Sequence, residues 1–330
     1  MTPSRRDILA TAGALAGAGA LGACGGAAAA KTPVIFNTDI GGDIDDAWAL
    51  LMLLRAPALD LKLVSTDGGN TLYRARVAAR ILEVAGRAEI PIGIGLEPTN
   101  SALQQAGWLG DYDITRYPGY VHEDGAAAII DTILNAPTPV TVISVGPAPT
   151  LASALAREPR IAENARFVGM HGSIRRGMPQ DAEAIAEWNV KVAPAALRAI
   201  FAAPWQCTIT PLDTCGQVVL DGADYAAVRA SSDPYARSII EQYEDWRPRA
   251  EWLGPEVDPA RVSSTLFDCV AVQLAFDESL LEIETLPLVV TDDGFTRIDA
   301  ANGRNVRCAT SWRDLAAFKA QVAATFAQGA

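Results

Sequence analysis

Between Asn37 and Asp46 the chain reads NTDIGGDIDD, which places Asp39, Asp43, Asp45 and Asp46 within eight residues, directly after an apolar, strand-like run. Carboxylates at that density repel one another strongly unless a cation neutralises them. Calcium suits such a loop best, because it takes about 6 to 8 oxygen ligands in loose geometry, whereas magnesium prefers phosphate substrates and a stricter octahedron. Helix capping explains Asp45 and Asp46, which fit a first turn and its dipole, but it does not explain four acids. The spacing also fails the EF-hand pattern, which ends on a glutamate at the twelfth loop position.

The rest of the composition narrows the chemistry. The chain has 330 residues, is 50% hydrophobic and 20% charged, and carries a formal net charge of −12. That excludes a disordered chain and gives no basic surface for a phosphate backbone, so nucleic acid is not an expected partner. His122 and His171 are the only histidines, and Cys24, Cys207, Cys215, Cys269 and Cys308 form no CxxC pair. Zinc and thioredoxin-like chemistry therefore have no support, and any metal must be held by oxygen.

The elements that must position the acidic loop alternate in period. Short aliphatic runs (34–38, 61–66, 90–95, 139–145, 165–170) are separated by amphipathic segments (45–56, 73–86, 126–136, 149–156, 194–203). This predicts an α/β fold: a doubly wound, mainly parallel open sheet with helices on both faces and a ligand site at the carboxyl ends of the strands. A hairpin in 286–298 and a helix in 311–326 close it. Three long connections, 98–125, 171–187 and about 246–264, are expected to be functional loops.

The first residues read as an address. Arg5-Arg6 precedes a weakly hydrophobic Ala/Gly-rich stretch, and Leu21-Gly22-Ala23-Cys24 resembles a lipobox. The expectation is a twin-arginine and lipoprotein signal peptide over residues 1–23, lipidation at Cys24, a tether over 24–32 and a single domain over 33–330. The protein would be exported, periplasmic or at the cell surface, and touch the membrane only through a lipid anchor. Twin-arginine export carries folded cargo, so no disulfide is predicted.

A strand ending in an Asp-x-Asp pattern also suggests a haloacid-dehalogenase-like phosphatase, but Asn37 stands where its nucleophile would be and cannot form an aspartyl phosphate. TDIGGDIDDAWAL instead resembles the signature of the inosine-uridine-preferring nucleoside hydrolases. STDGGN (65–70), VISVGPAPTLASALAREPRI (142–161), GMHG (169–172), EWN (187–189) and TLFDCVAV (265–272) are similar to further family motifs in the same order.

The resemblance implies calcium-dependent hydrolysis of the N-ribosidic bond of purine or pyrimidine nucleosides. It implies metal ligation by Asp39, Asp46, the Val145 carbonyl and Asp268, with Asp39 also accepting a proton from the attacking water. Asp45 matches the acid that holds the ribose hydroxyls, and Asn70, Met170, Glu187 and Asn189 match other pocket residues. It further implies a homodimer or homotetramer. Asp43 sits in an insertion relative to the shortest family motif and has no assigned role.

The leaving-group half departs from the pattern. Phe267 stands where the family often has a histidine, Asn37 replaces a frequent aspartate, and Ala193 stands where an aspartate is usual. His122 and His171 are the candidate acids, each with an alternative as a structural loop histidine. Stacking by Trp108, Trp188, Tyr243 or Trp246 is another route to stabilising the departing base. Arg175 and Arg176 are either solvated charges or readers of an anionic 5′ group. The rival reading is a noncatalytic nucleoside- or ribose-binding lipoprotein that keeps the metal shell.

Overall fold

Thr32–Thr38 (β1) is a seven-residue run whose side chains alternate between two apolar layers. Val34 and Phe36 pack with Trp48, Leu51 and Ile81 on one face. Ile35 packs with Leu63, Ile129 and Leu151 on the other. A strand buried on both faces needs helices above and below it, and further strands complete the sheet among the described residues. They are β2 (Leu59–Thr66), β3 (Ile92–Gly93), β4 (Val121–His122), β5 (Val140–Ser144), β6 (Ala165–Met170), β7 (Cys207–Thr210), β8 (Leu281–Val290), β9 (Thr296–Ile298) and β10 (Arg304–Trp312). The computed structural model describes residues 30–96 and 103–327. The signal-peptide and Cys24 expectations, and the tether up to residue 29, lie outside them.

Among the described residues the strands form one sheet in the order β4-β3-β2-β1-β5-β6-β7-β10-β8-β9. From β4 to β10 the neighbours run parallel, and β8 and β9 add antiparallel edge strands. The mainly parallel sheet with helices on both faces is thus present. The chain builds outward from β1 to β4 on one side, then returns to lay β5 against the other side of β1, pairing Asn37 with Ser144. That reversal opens a crevice at the carboxyl ends of β1 and β5, the position where doubly wound sheets bind ligands.

Three strands were not expected from the sequence, the first being the two-residue β4 inside the connection 98–125. β7 is only four residues, and β10 carries Arg304 and Arg307 among its apolar positions, so neither reads as a continuous buried run. Within the described residues no helix is long and apolar enough to cross a membrane, and Cys207, Cys215, Cys269 and Cys308 are free and buried.

Candidate active site

The acidic loop leaves β1 at the crevice and enters the helix Asp45–Arg55, whose first turn holds Asp45 and Asp46. That helix packs against the helix Phe267–Leu274, which carries Asp268 in its own first turn. Two first turns meeting in this way bring three carboxylates from distant parts of the chain together. Ligand atoms of Asp45, Asp46 and Asp268 lie within 4.8 Å of one another, and all three residues are buried.

Burial and mutual repulsion push all three well above the usual carboxylate range. Asp39 is also pushed up by burial, with Arg74 pulling the other way. Three buried like charges converging on one point with only oxygen donors fit a hard divalent cation, which would relieve the repulsion directly. The Thr38 hydroxyl donates to Asp46 and accepts from the Ile40 amide, fixing one carboxylate of the group.

The three-carboxylate group includes Asp45 and not Asp39. Asp45, expected at the ribose, belongs to the tightest group of oxygens. Asp39, expected among the ligands, stands outside that group with its Oδ2 3.6 Å from Arg74 Nη2. Arg74 is 7% exposed; its Nε donates to the Gly68 carbonyl at 2.6 Å and its Nη1 to the Ile40 carbonyl at 3.1 Å. Sequence reading passed over this residue. The available signal was a basic side chain near the start of the helix Thr71–Val84, where the dipole disfavours it unless an anion lies close by.

Behind the loop, Asn37 links two strands. Its amide donates to Asp67 at 2.9 Å, and its carbonyl oxygen accepts from the Ser144 hydroxyl at 2.9 Å. Asp67 also accepts from Thr150 and the Gly68 amide, yet burial still raises it to about 6. An amide at position 37 donates where a second carboxylate would repel. Gly146 packs so tightly that a Cβ there would lie 2.9 Å from the Asp39 nitrogen.

Across the crevice, Glu187 accepts from the Gly172, Asn189 and Val190 amides and caps the short helix Trp188–Val192. Burial lifts its pKa to about 7. The Asn189 amide donates to the Val145 and Met170 carbonyls at 3.0 and 3.2 Å, tying together the ends of β5 and β6.

These groups line a cavity of about 710 Å³. Its floor holds Asp39, Asp43, Asp45, Asp46, Asp268 and Glu187, with Arg74 as the cation among the described lining residues. Val145, Met170, Asn189 and Trp188 line it as the sequence suggested. Leu212, Met178, Ile185, Trp252 and Phe267 add an apolar wall. Two of the three long connections thus reach the mouth, 171–187 through Met178 and Ile185 and 246–264 through Trp252. From the third, 98–125, Gln104 reaches the lining.

Several expected residues lie elsewhere. His171 is fully buried behind the cavity; its Nε2 donates to the Gly146 carbonyl at 2.9 Å, and burial lowers its pKa to about 4. Burial keeps it neutral at physiological pH, and it does not line the cavity. His122 sits on β4 with its ring against Tyr120 and does not line the cavity. Asn70 instead caps the helix Thr71–Val84 by accepting from the Tyr73 amide. Trp108 packs under Arg80, and Tyr243 and Trp246 are fully buried. Arg175 is paired with Glu284 at 2.6 Å outside the cavity, and Arg176 does not line it.

The sequence profile of the inosine-uridine preferring nucleoside hydrolases matches residues 34–320. The chain is 31% identical over 201 residues to the non-specific ribonucleoside hydrolase RihC of Escherichia fergusonii, and 32% over 202 residues to that of Salmonella paratyphi B. Each alignment spans 58% of this chain and 64% of the relative. The fold is similar to the plant nucleoside hydrolase PpNRh1, with a TM-score of 0.74 at 20% identity over 91% of this chain and 98% of that one. It is also similar to a purine-preferring ribonucleoside hydrolase from Gardnerella vaginalis, with a TM-score of 0.71 at 20% identity over 90% and 99%.

Proposed function

Because the chain belongs to the inosine-uridine preferring nucleoside hydrolase family, we propose that it hydrolyses the N-ribosidic bond of ribonucleosides to free base and ribose, and that it does so with calcium. The observation that carries the proposal is the meeting of Asp45, Asp46 and Asp268 beside Asp39 on the floor of the cavity. Asp46 and Asp268, with Asp45 or Asp39 and the Val145 carbonyl, would hold the ion. When bound, it supplies Lewis-acid stabilisation and acidifies a neighbouring water.

The protein's own groups divide the remaining work. Asp39 takes a proton from the attacking water as its oxygen bonds to C1′. The N-glycosidic bond breaks with its electron pair leaving on the base nitrogen, which is protonated from solvent. The carboxylates around the sugar favour the positive charge that develops on the ring. Asn189 and Glu187 hold the crevice wall in register, so little reorganises during reaction. Trp188, Trp252 and Phe267 offer flat apolar surface to the departing base in place of a histidine acid.

We further propose that the protein is exported by the twin-arginine route and anchored through a lipidated Cys24, and that it assembles as a dimer or tetramer. The Phe267 substitution and the position of both histidines outside the cavity favour one rival, a nucleoside-binding protein without turnover. Ribose release from a purine and pyrimidine nucleoside panel, with and without a calcium chelator, separates the two. Chelator-sensitive release supports the hydrolase; binding without release supports the rival.

A further inference from the structure

The turn that follows Asp39 is clasped at three successive carbonyls by side chains from other segments. Arg74 Nη1 donates to Ile40, the Tyr73 hydroxyl to Gly41 at 3.3 Å, and Trp246 Nε1 to Gly42 at 2.7 Å. Gly41 adopts a φ of +96°, and a Cβ there would fall 2.7 Å from the Tyr73 ring. A turn held so firmly fixes the direction of the next residue, Asp43, which lines the cavity. Asp43 accepts from its neighbour, the Ile44 amide, at 2.6 Å through Oδ1. Its Oδ2 has no hydrogen-bond partner among the described residues.

The indole that clasps Gly42 also backs the cavity wall. Trp246 meets Trp252 edge to face at 5.8 Å, and Trp252 is 55% exposed and borders the same cavity. A large, half-exposed indole and an acceptor oxygen are therefore both positioned by one buried side chain. A planar heteroaromatic ring has apolar faces and a polar edge, and it satisfies both at once, the face on Trp252 and an N–H of the edge on the carboxylate.

We propose that Asp43 is a specificity-determining residue that accepts a hydrogen bond from an N–H on the edge of the departing nucleobase. It discriminates for donor-bearing bases and acts neither on the sugar nor as a metal ligand. The inference rests on the hydrolase reading above.

The test compares Asp43→Ala with the unmodified protein on two ribosides. One is inosine, whose base carries a ring N–H, and the other is p-nitrophenyl β-riboside, whose leaving group carries none. The expected result is about a tenfold or greater rise in KM for inosine, the loss of one charge-assisted hydrogen bond. Turnover of p-nitrophenyl riboside falls far less than turnover of inosine, and calcium binding measured by calorimetry is retained. Asp43→Asn, which keeps an acceptor oxygen, recovers part of the inosine loss. Equal losses on both substrates, or no loss on either, overturn the assignment. Failure of the unmodified protein to cleave either substrate overturns the hydrolase reading itself and this assignment with it.

Discussion

Arg74 Nη2 stands 3.6 Å from Asp39 Oδ2, and the same guanidinium spans the Ile40 and Gly68 carbonyls. The contact joins the loop after β1 to the loop after β2. It sets a fixed cation beside the carboxylate proposed to take a proton, and it offsets part of a floor made of acids. Arg74→Met removes the cation and leaves a buried charge uncompensated, so we expect stability to fall by about 3 kcal/mol in denaturant titrations. Arg74→Lys recovers only part of this, since an ammonium cannot span three acceptors in one plane.

Asp39→Ala removes the proposed proton acceptor while leaving the Asp45, Asp46 and Asp268 group intact. Turnover is expected to fall by about 10³-fold with calcium binding reduced far less. A variant with full activity refutes the assignment.

Stability should depend on pH in opposite senses with and without a divalent cation. The buried acids hold their protons more tightly when folded, with Glu187 raised to about 7 and Asp67 to about 6. Between about pH 4 and 7 the folded state therefore binds more protons than the unfolded state, and in a chelator stability declines as pH rises through that window. Saturating calcium binds the deprotonated folded form and reverses the trend. Thermal melts from pH 5 to 8 in chelator and in calcium should diverge steadily with pH.

Glu187→Gln keeps one acceptor oxygen for the three amides that Glu187 now receives. We expect a loss of about 1 kcal/mol and a flatter slope between pH 4.5 and 7 in chelator, read from the same melts.

Gly41→Ala forces a left-handed backbone and drives a methyl group into the Tyr73 ring. A loss of about 2 kcal/mol is expected, together with a raised KM for inosine from displacement of Asp43. Tyr73→Ala in the same background should relieve the steric part, giving a non-additive double mutant.

The acidic loop was legible because four carboxylates in eight residues have few structural explanations, and the sheet was legible because β1, β2, β5 and β6 are short segments rich in aliphatic residues set between amphipathic ones. β7 and β10 were not, since their burial comes from neighbours rather than from their own composition. The histidines misled for a related reason. A loop residue's chemistry depends on which way its side chain turns, and the buried contact of His171 with Gly146 has no signature along the chain. Arg74 was missed because its partner, Asp39, lies in a separate loop after the neighbouring strand.

The clasp between Trp246 and Gly42 closes across 204 residues, and Asp268 enters the site from later still. A ribosome must therefore deliver more than three quarters of the chain before the floor of the cavity can exist. Until then the acidic loop is an exposed, self-repelling segment with no shape to recognise a substrate. Contacts of such long sequence separation slow folding, so the catalytic centre is expected to be among the last parts of the molecule to mature, and truncated chains should be inert.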